Sequence, residues 1–317
     1  MKLGITGNGM IASKMLEDIR EVPGAEAAAL CVLPRSREKG EVLAQKHGIP
    51  LFTDYEAFLR CPEVDVVYIG VVNSEHYRYA RQALLAGKHV LCEKPFTTDA
   101  EQLRELTALA KSRGLFLWES QRVFYSPVFR AVRAHLDEIG DVKLVQCNMS
   151  KISSRFRQYE QGTVLPVFDP ALDGGCLWDL NIYNICFAVT LFGKPQKITS
   201  LANYGWNGVD TSGTVILEYD GFLAVCTAAK DSDSPNCAAV QGTRGTILVE
   251  GPPSAARSAR LGEKIIGEDP HCDGFFEEIS EIRRQFAAKD LETCYQTLEQ
   301  SQLLLDVLAE AVGQLRH

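Results

Sequence analysis

The sequence contains no apolar run near the roughly 20 residues that a membrane-crossing helix needs. Its longest, such as Val64 to Val72, stop far short, and no membrane association is expected. The first residues pass directly into an apolar strand, Leu3 to Thr6, with no basic segment, longer apolar stretch or small-residue cleavage site, so no secretory signal is expected either. Clustered positive charge is also missing. Lysine and arginine total 33 against 41 acids, a net charge of -8, and no Lys/Arg run occurs. That argues against a partner recognised through a nucleic-acid phosphate backbone. Ten cysteines are present, yet no two have C-x-x-C spacing and most sit in apolar runs. They read as reduced thiols packed as small hydrophobes in a cytoplasmic protein, in preference to zinc ligands or disulfides. The six histidines are isolated, none forming a ligand pair with an acid, so no metal is expected.

What is present is ordinary globular material. Apolar residues make up 46% and charged residues 23%, enough for a full core, and 317 residues suggest two domains. The first 120 residues alternate strand and helix patterns. Strands are expected at Leu3-Thr6, Ala27-Leu33, Leu51-Thr53, Asp65-Val72, His89-Cys92 and Leu115-Trp118. Asp65-Val72 is a continuous β-branched run without polar alternation, as for a parallel strand covered on both faces. Helices fall between them, and Thr98-x-x-Glu101 reads as a capping box for the one ending at Gly114. This is the pattern of βαβ units and a parallel sheet.

Beyond about residue 125 the texture changes. A helix at Pro127-Glu138 leads to a strand at Val142-Met149, an irregular loop over Lys151 to Tyr159, and a helix opened by Gly174-Gly175 and running to about Phe192. Strands follow at Lys197-Tyr204, Thr211-Tyr219, Phe222-Ala229, Ala238-Gln241 and Thr246-Glu250, with Asp220-Gly221 as a hairpin turn. Gly251-Arg260 reads as loop, and two helices near Asp273-Phe286 and Leu291-Leu315 close the chain. The expectation is an α/β protein: a parallel-sheet domain over residues 1-122, then an α+β domain over 123-317 with a largely antiparallel sheet.

Four places carry residues suited to chemistry. Gly7-Asn8-Gly9-Met10-Ile11-Ala12 follows a strand and opens a helix. Gly7 permits the turn, Gly9 lets a pyrophosphate approach the backbone, and Ala12 lets helix pack on strand, while the helix N-terminus, with Met10 and Ile11, offers free N-H groups. The second strand ends in Pro34-Arg35-Ser36-Arg37, with no acid until Glu38. An acid there would accept from a ribose 2′-hydroxyl, whereas Arg35, Ser36 and Arg37 suit a 2′-phosphate, so NADP(H) is favoured over NAD(H). Glu93-Lys94-Pro95 ends the fifth strand, at the sheet edge where ligands bind, and Lys94 there can exchange a proton with a substrate hydroxyl. Whether the Lys94-Pro95 peptide is cis is left open. Asp179 and Tyr183, four apart in the Gly-Gly-opened helix, share a face and can hold a hydroxyl and relay its proton. In isolation each of the last two motifs also fits a surface turn or an ordinary helix start.

Together these pieces resemble the glucose-fructose oxidoreductase / inositol dehydrogenase (Gfo/Idh/MocA) family over nearly the whole chain. The resemblance rests on the glycine turn, on Val72-Asn73-x-x-His76, on Ala86-Gly-Lys-His-Val-Leu-Cys-Glu-Lys-Pro95, and on Gly174-Gly-x-Leu-x-Asp179-x-x-x-Tyr183. It implies a dinucleotide-binding Rossmann domain over residues 1-122 and an α/β substrate domain with an open sheet over 123-317. It also implies hydride transfer between nicotinamide C4 and a carbinol or carbonyl carbon of a sugar, polyol or dihydrodiol-like substrate, in a homodimer or homotetramer assembled through the second domain's sheet. Carried over position by position, Lys94 is the active-site lysine, Asp179 the helix aspartate that orients the reacting group, Glu93 lies beside the nicotinamide ribose, and Asn73 and His76 line the cofactor crevice. Many members carry histidine where this chain has Tyr183, which implies the branch in which tyrosine is the acid-base group. Val71-Val72 in place of the commoner Thr-Pro is a departure near the nicotinamide. Arg122, beside Gln121, and the loop residues Arg155, Arg157 and Tyr159 are candidates for substrate contact. The alternative is a non-catalytic dinucleotide-binding sensor or regulatory protein on the same fold.

Overall fold

The computed structural model describes residues 1-315. The chain forms two compact units: Met1-Ser120 with Asp273-Gln302, and Gln121-Cys272 with the residues from Leu303 onward.

The first unit is built on β1 (Lys2-Thr6), α1 (Met10-Asp18), β2 (Glu26-Cys31), α2 (Arg37-His47), β3 (Leu51-Phe52), α3 (Tyr55-Leu59), β4 (Val66-Ile69), α4 (His76-Leu85), β5 (His89-Glu93), α5 (Ala100-Arg113) and β6 (Leu117-Ser120). The six strands form one parallel sheet in the order β3-β2-β1-β4-β5-β6. Every residue of β4 is fully buried, as its unbroken β-branched pattern requires of a strand covered on both faces. The strand order reverses between β1 and β4, which makes their carboxyl ends the ligand-binding edge of such a sheet. At α5 the cap is Asp99, one residue beyond the Thr98 expected: its carboxylate accepts from the Glu101 N-H at 2.8 Å. A carboxylate is the stronger acceptor at the positive end of a helix.

The second unit contains α6 (Arg122-Tyr125), α7 (Pro127-Ala134), β7 (Val142-Ser150), α8 (Phe156-Glu160), α9 (Ile182-Phe192), β8 (Lys197-Tyr204), β9 (Asp210-Tyr219), β10 (Phe222-Ala229), β11 (Cys237-Gly242), β12 (Thr246-Glu250), β13 (Ser258-Leu261) and β14 (Lys264-Glu268). Its eight strands run β14-β13-β12-β11-β7-β10-β9-β8, antiparallel except for the β7-β10 pair. β13 and β14 are a correction to the expectation of loop at Gly251-Arg260. A four-residue strand with one charged member shows no clear alternation, and it is its pairing with β12 that makes it extended. α9 packs on β7 and β10. The segment Pro170-Phe192 is apolar and long enough to cross a membrane by composition, but 72% of its most apolar window is buried in the fold. All ten cysteines are free thiols, seven of them buried.

The chain then continues as α10 (Phe276-Ala288) and α11 (Leu291-Leu315). Here the structure differs from a simple division at residue 122. α10 and α11 as far as Gln302 belong to the first unit, where Gln285 accepts from the Trp118 indole at 2.8 Å and the Cys294 thiol donates to the Leu117 carbonyl at 3.2 Å. The apolar stripe of these helices, including Ile279, Ile282, Cys294 and Leu298, is buried. Such a stripe shows that a helix is packed, but not on which sheet.

Candidate cofactor and catalytic sites

The glycine turn has the shape a pyrophosphate needs. Gly7 has φ +93°, and a Cβ there would overlap the Gly70 carbonyl oxygen, so only glycine fits. Gly9 is the N-cap of α1, with nothing within 4 Å of where its Cβ would stand and no side chain capping the helix. The first helical N-H groups therefore face open space with a partial positive charge behind them. Ala12 is fully buried, close under Gly70, whereas Met10 is 71% exposed.

The end of β2 bears Arg35, Ser36 and Arg37 as expected, with Arg35 and Arg37 exposed. Arg37 is half committed, its Nε 2.9 Å from Glu41 Oε1. Arg35 makes no side-chain hydrogen bond or ion pair among the described residues.

At the end of β5, Glu93 is buried; its Oε1 accepts from the Tyr68 hydroxyl at 2.5 Å and from Ser120 at 3.2 Å, and its Oε2 from the Lys94 N-H at 3.3 Å. Lys94 is half-buried, and the Lys94-Pro95 peptide is cis. His76 is buried with Nδ1 2.8 Å from the Pro95 carbonyl and Nε2 3.2 Å from the Val71 carbonyl. Burial pushes its pKa down, so the ring is neutral and has one N-H to share between two acceptors. Its ring thus ties together the segments after β4 and β5. Asn73 begins the short 3-10 turn between β4 and α4 and is half-buried. Two further buried carboxyls, unnoticed in the sequence, stand nearby. The Ser120 hydroxyl, with one proton to share between Glu93 and Glu278, stands 2.6 Å from Glu278 Oε1, and Glu119 accepts from the Phe96 N-H at 3.2 Å. Burial pushes the Glu119 carboxyl up to about 7.

In the second unit, the Gly-Gly pair is a packing requirement. Gly175 has φ +125°, and a Cβ on it would overlap the Asp210 carboxylate, whose Oδ2 accepts from the Leu177 N-H at 2.7 Å. The helix opens with a turn of π-helix, Leu177-Asn181, before α9. A single π turn of this kind recurs at functional sites. Asp179 lies within that turn and Tyr183 one turn on, both half-buried. Asn181 and Asn184 pin the segment to β10 through the Cys226 and Thr227 carbonyls, at 3.0 and 2.9 Å. Asp179 Oδ2 accepts from Lys230 Nζ at 2.9 Å. Neither Lys230 nor Asp210 was singled out in the sequence: a lysine following two alanines at a strand end reads as a solvated charge.

The loop residues separate. Arg155 and Arg122 are half-buried and Arg157 exposed. Tyr159 is only 2% exposed, stacked on Phe168 with ring centres 4.6 Å apart, and its hydroxyl donates to Asn207 at 2.7 Å. Its place is an aromatic core cluster, not an open surface. Gln121 is fully buried, with no hydrogen bond to its side-chain amide among the described residues.

Comparison with known proteins identifies a family for both parts of the chain. Residues 1-121 match the family described as "Oxidoreductase family, NAD-binding Rossmann fold", and residues 129-248 match the "GFO/IDH/MocA C-terminal domain". The chain is 34% identical to scyllo-inositol 2-dehydrogenase (NADP(+)) IolU of Bacillus subtilis, over 99% of this chain and 97% of that one. It is 32% identical to trans-1,2-dihydrobenzene-1,2-diol dehydrogenase of Sus scrofa, over 98% and 95%. Among solved structures, KijD10, a 3-ketoreductase from Actinomadura kijaniata in complex with NADP and TDP-benzene, shares the fold at a TM-score of 0.82, with 23% identity and 96% of each chain covered. On this evidence the chain belongs to the Gfo/Idh/MocA family of oxidoreductases.

Proposed function

We propose that the chain is an NADP(H)-dependent dehydrogenase or reductase of secondary alcohols and ketones on small polyhydroxylated rings, in the branch of the family where tyrosine replaces the catalytic histidine. The observation that carries this is the joint presence of Lys94 after β5 and of Asp179 and Tyr183 at the π turn, which a pure dinucleotide binder does not need. Relatives with full-length similarity are named as dehydrogenases of an inositol and of a dihydrodiol, and the sensor alternative finds no support among them.

The bound nicotinamide supplies the hydride acceptor or donor. Gly7, Gly9 and the N-H groups from Met10 to Ala12 hold the pyrophosphate, and Arg35 and Ser36, with Arg37, hold the 2′-phosphate. Glu93 and Asn73 line the nicotinamide end, with His76 fixing the two segments that carry them. Tyr183 exchanges the substrate hydroxyl proton. An ordinary tyrosine titrates near 10 and is a poor base at pH 7, so the proton exchange is assigned to Lys94 as well as to Tyr183. Asp179 orients the hydroxyl, and Arg122 and Arg155 contact the remainder of the substrate.

The uncovered face of the second unit's sheet supports a further element of the proposal. Leu201, Leu223, Leu248 and Ile265 project from one face and are 67, 42, 49 and 47% exposed, a pattern suited to a homodimer or homotetramer. With its reduced thiols, we place the protein in the cytoplasm.

The test is to titrate the protein with NADP+ and NAD+ separately, then to screen scyllo-inositol, other polyols, sugars and trans-dihydrobenzenediol for absorbance at the reduced-nicotinamide band. Tight NADP+ binding and turnover of a vicinal-diol substrate are expected. Binding of neither dinucleotide would overturn the reading.

A further inference from the structure

We propose that Lys230 is a positioning residue, a fixed ammonium that holds Asp179 as an oriented carboxylate. The inference rests on the functional reading above, in which Asp179 is a hydrogen-bond acceptor for substrate.

Lys230 follows the last residue of β10 and is 1% exposed. An ammonium taken out of water costs several kcal/mol unless its charge and donors are matched. Here they are. Nζ donates to the Val167 carbonyl at 2.8 Å and to Asp179 Oδ2 at 2.9 Å, and stands 4.6 Å from the centre of the Phe168 ring. Its own backbone is anchored on both sides, the N-H on the Thr211 carbonyl at 2.8 Å and the carbonyl by the Ser153 N-H at 2.9 Å. The charge is therefore a fixed point of the sheet.

Asp179 is the opposite case. It lies in the π turn, and its side chain keeps 35% exposure against 2% for Lys230. A buried charge facing a half-exposed one sets the direction of the second at little cost to the first. The other acids near Lys230 are otherwise engaged: Asp210 caps the turn through Leu177, and Asp231 accepts from Ser212 at 3.0 Å. The Cys176 thiol, also close, is driven up by burial and stays neutral. Asp179 is thus the acid matched to this ammonium. Since Lys230 is buried beneath it, the lysine acts on substrate only through Asp179.

The experiment compares Lys230→Met, Lys230→Arg, Asp179→Asn and the Lys230→Met/Asp179→Asn double variant, measuring kcat and KM with scyllo-inositol or trans-1,2-dihydrobenzene-1,2-diol, whichever the unmodified protein oxidises, and NADP+ affinity by fluorescence. Lys230→Met is expected to lower kcat by about 100-fold, the size of effect that misplacing a reacting partner produces. NADP+ affinity should stay within threefold, Lys230→Arg should recover a large part of kcat, and the double variant should be no slower than Asp179→Asn alone. A kcat for Lys230→Met within threefold of the parent, or losses that multiply in the double variant, would overturn the proposal. Thermal unfolding of Lys230→Met, Asp179→Ala and their double variant reads the pair independently of turnover. If the parent binds neither dinucleotide, the functional reading fails, yet strong non-additivity in unfolding still upholds the Lys230-Asp179 pair and additivity refutes it.

Discussion

Glu119 makes the first unit sensitive to pH in a direction opposite to that of a salt-bridged acid. In the folded chain its carboxyl, buried at the end of β6, keeps its proton up to about 7, against an ordinary value near 4.5. Between those values the unfolded chain binds fewer protons than the folded one, so stability falls as pH rises, by up to about 1.4 kcal/mol per pH unit, and levels off above 7. Urea unfolding at pH 5 and 7.5 should show this loss, and Glu119→Gln should flatten it; parallel curves for the two proteins would contradict the assignment. Arg35 is tested by substitution with alanine. Removing one charge-assisted contact should weaken NADP+ binding about 10-fold and leave NAD+ binding within about threefold. Equal loss for both dinucleotides would show that Arg35 does not read the 2′-phosphate. At this scale the sequence was most informative where one residue type alone fits, as at Gly7. It was least so where burial decides the role. Tyr159 reads from the sequence as a substrate-contact candidate in an irregular loop and Lys230 carries no motif, and both are buried.

The elements explain why the motifs have their spacing. Gly174-Gly175 precedes the π turn because Gly175 must take φ +125° with the Asp210 carboxylate against its Cα. Gly175→Ala should therefore destabilise the second unit by about 3 kcal/mol through backbone strain and overlap together. Denaturant unfolding measures the loss, with NADP+ affinity expected to persist because the nucleotide turn lies in the other unit; full stability in this variant would refute the strain argument. The parallel sheet was legible because its strands are short, mostly apolar and separated by helical segments. The β13-β14 hairpin was not, because its extension comes from pairing with β12 rather than from its own residues. The π turn was equally hidden. Its side-chain pattern is compatible with an α-helix, and only the backbone bond from the Ile182 N-H to the Leu177 carbonyl distinguishes the two.

For the whole molecule, the division of the chain was legible only in part. Residues 273-302 return to the first unit, a long-range packing choice that no local pattern encodes. The proposed assembly face can be tested directly. Leu223→Glu with Leu248→Glu should shift the protein to monomers in sedimentation velocity without unfolding it, since both side chains already stand in solvent in the single chain. An unchanged oligomer would place the interface elsewhere. The central claim is that Lys94 turns a dinucleotide-binding sheet into an enzyme, and the most direct measurement is Lys94→Ala, followed by NADP+ titration and by absorbance at the reduced-nicotinamide band with the best substrate found. The account predicts dinucleotide affinity within a few-fold of the parent and no detectable hydride transfer; turnover that survives the substitution would contradict it.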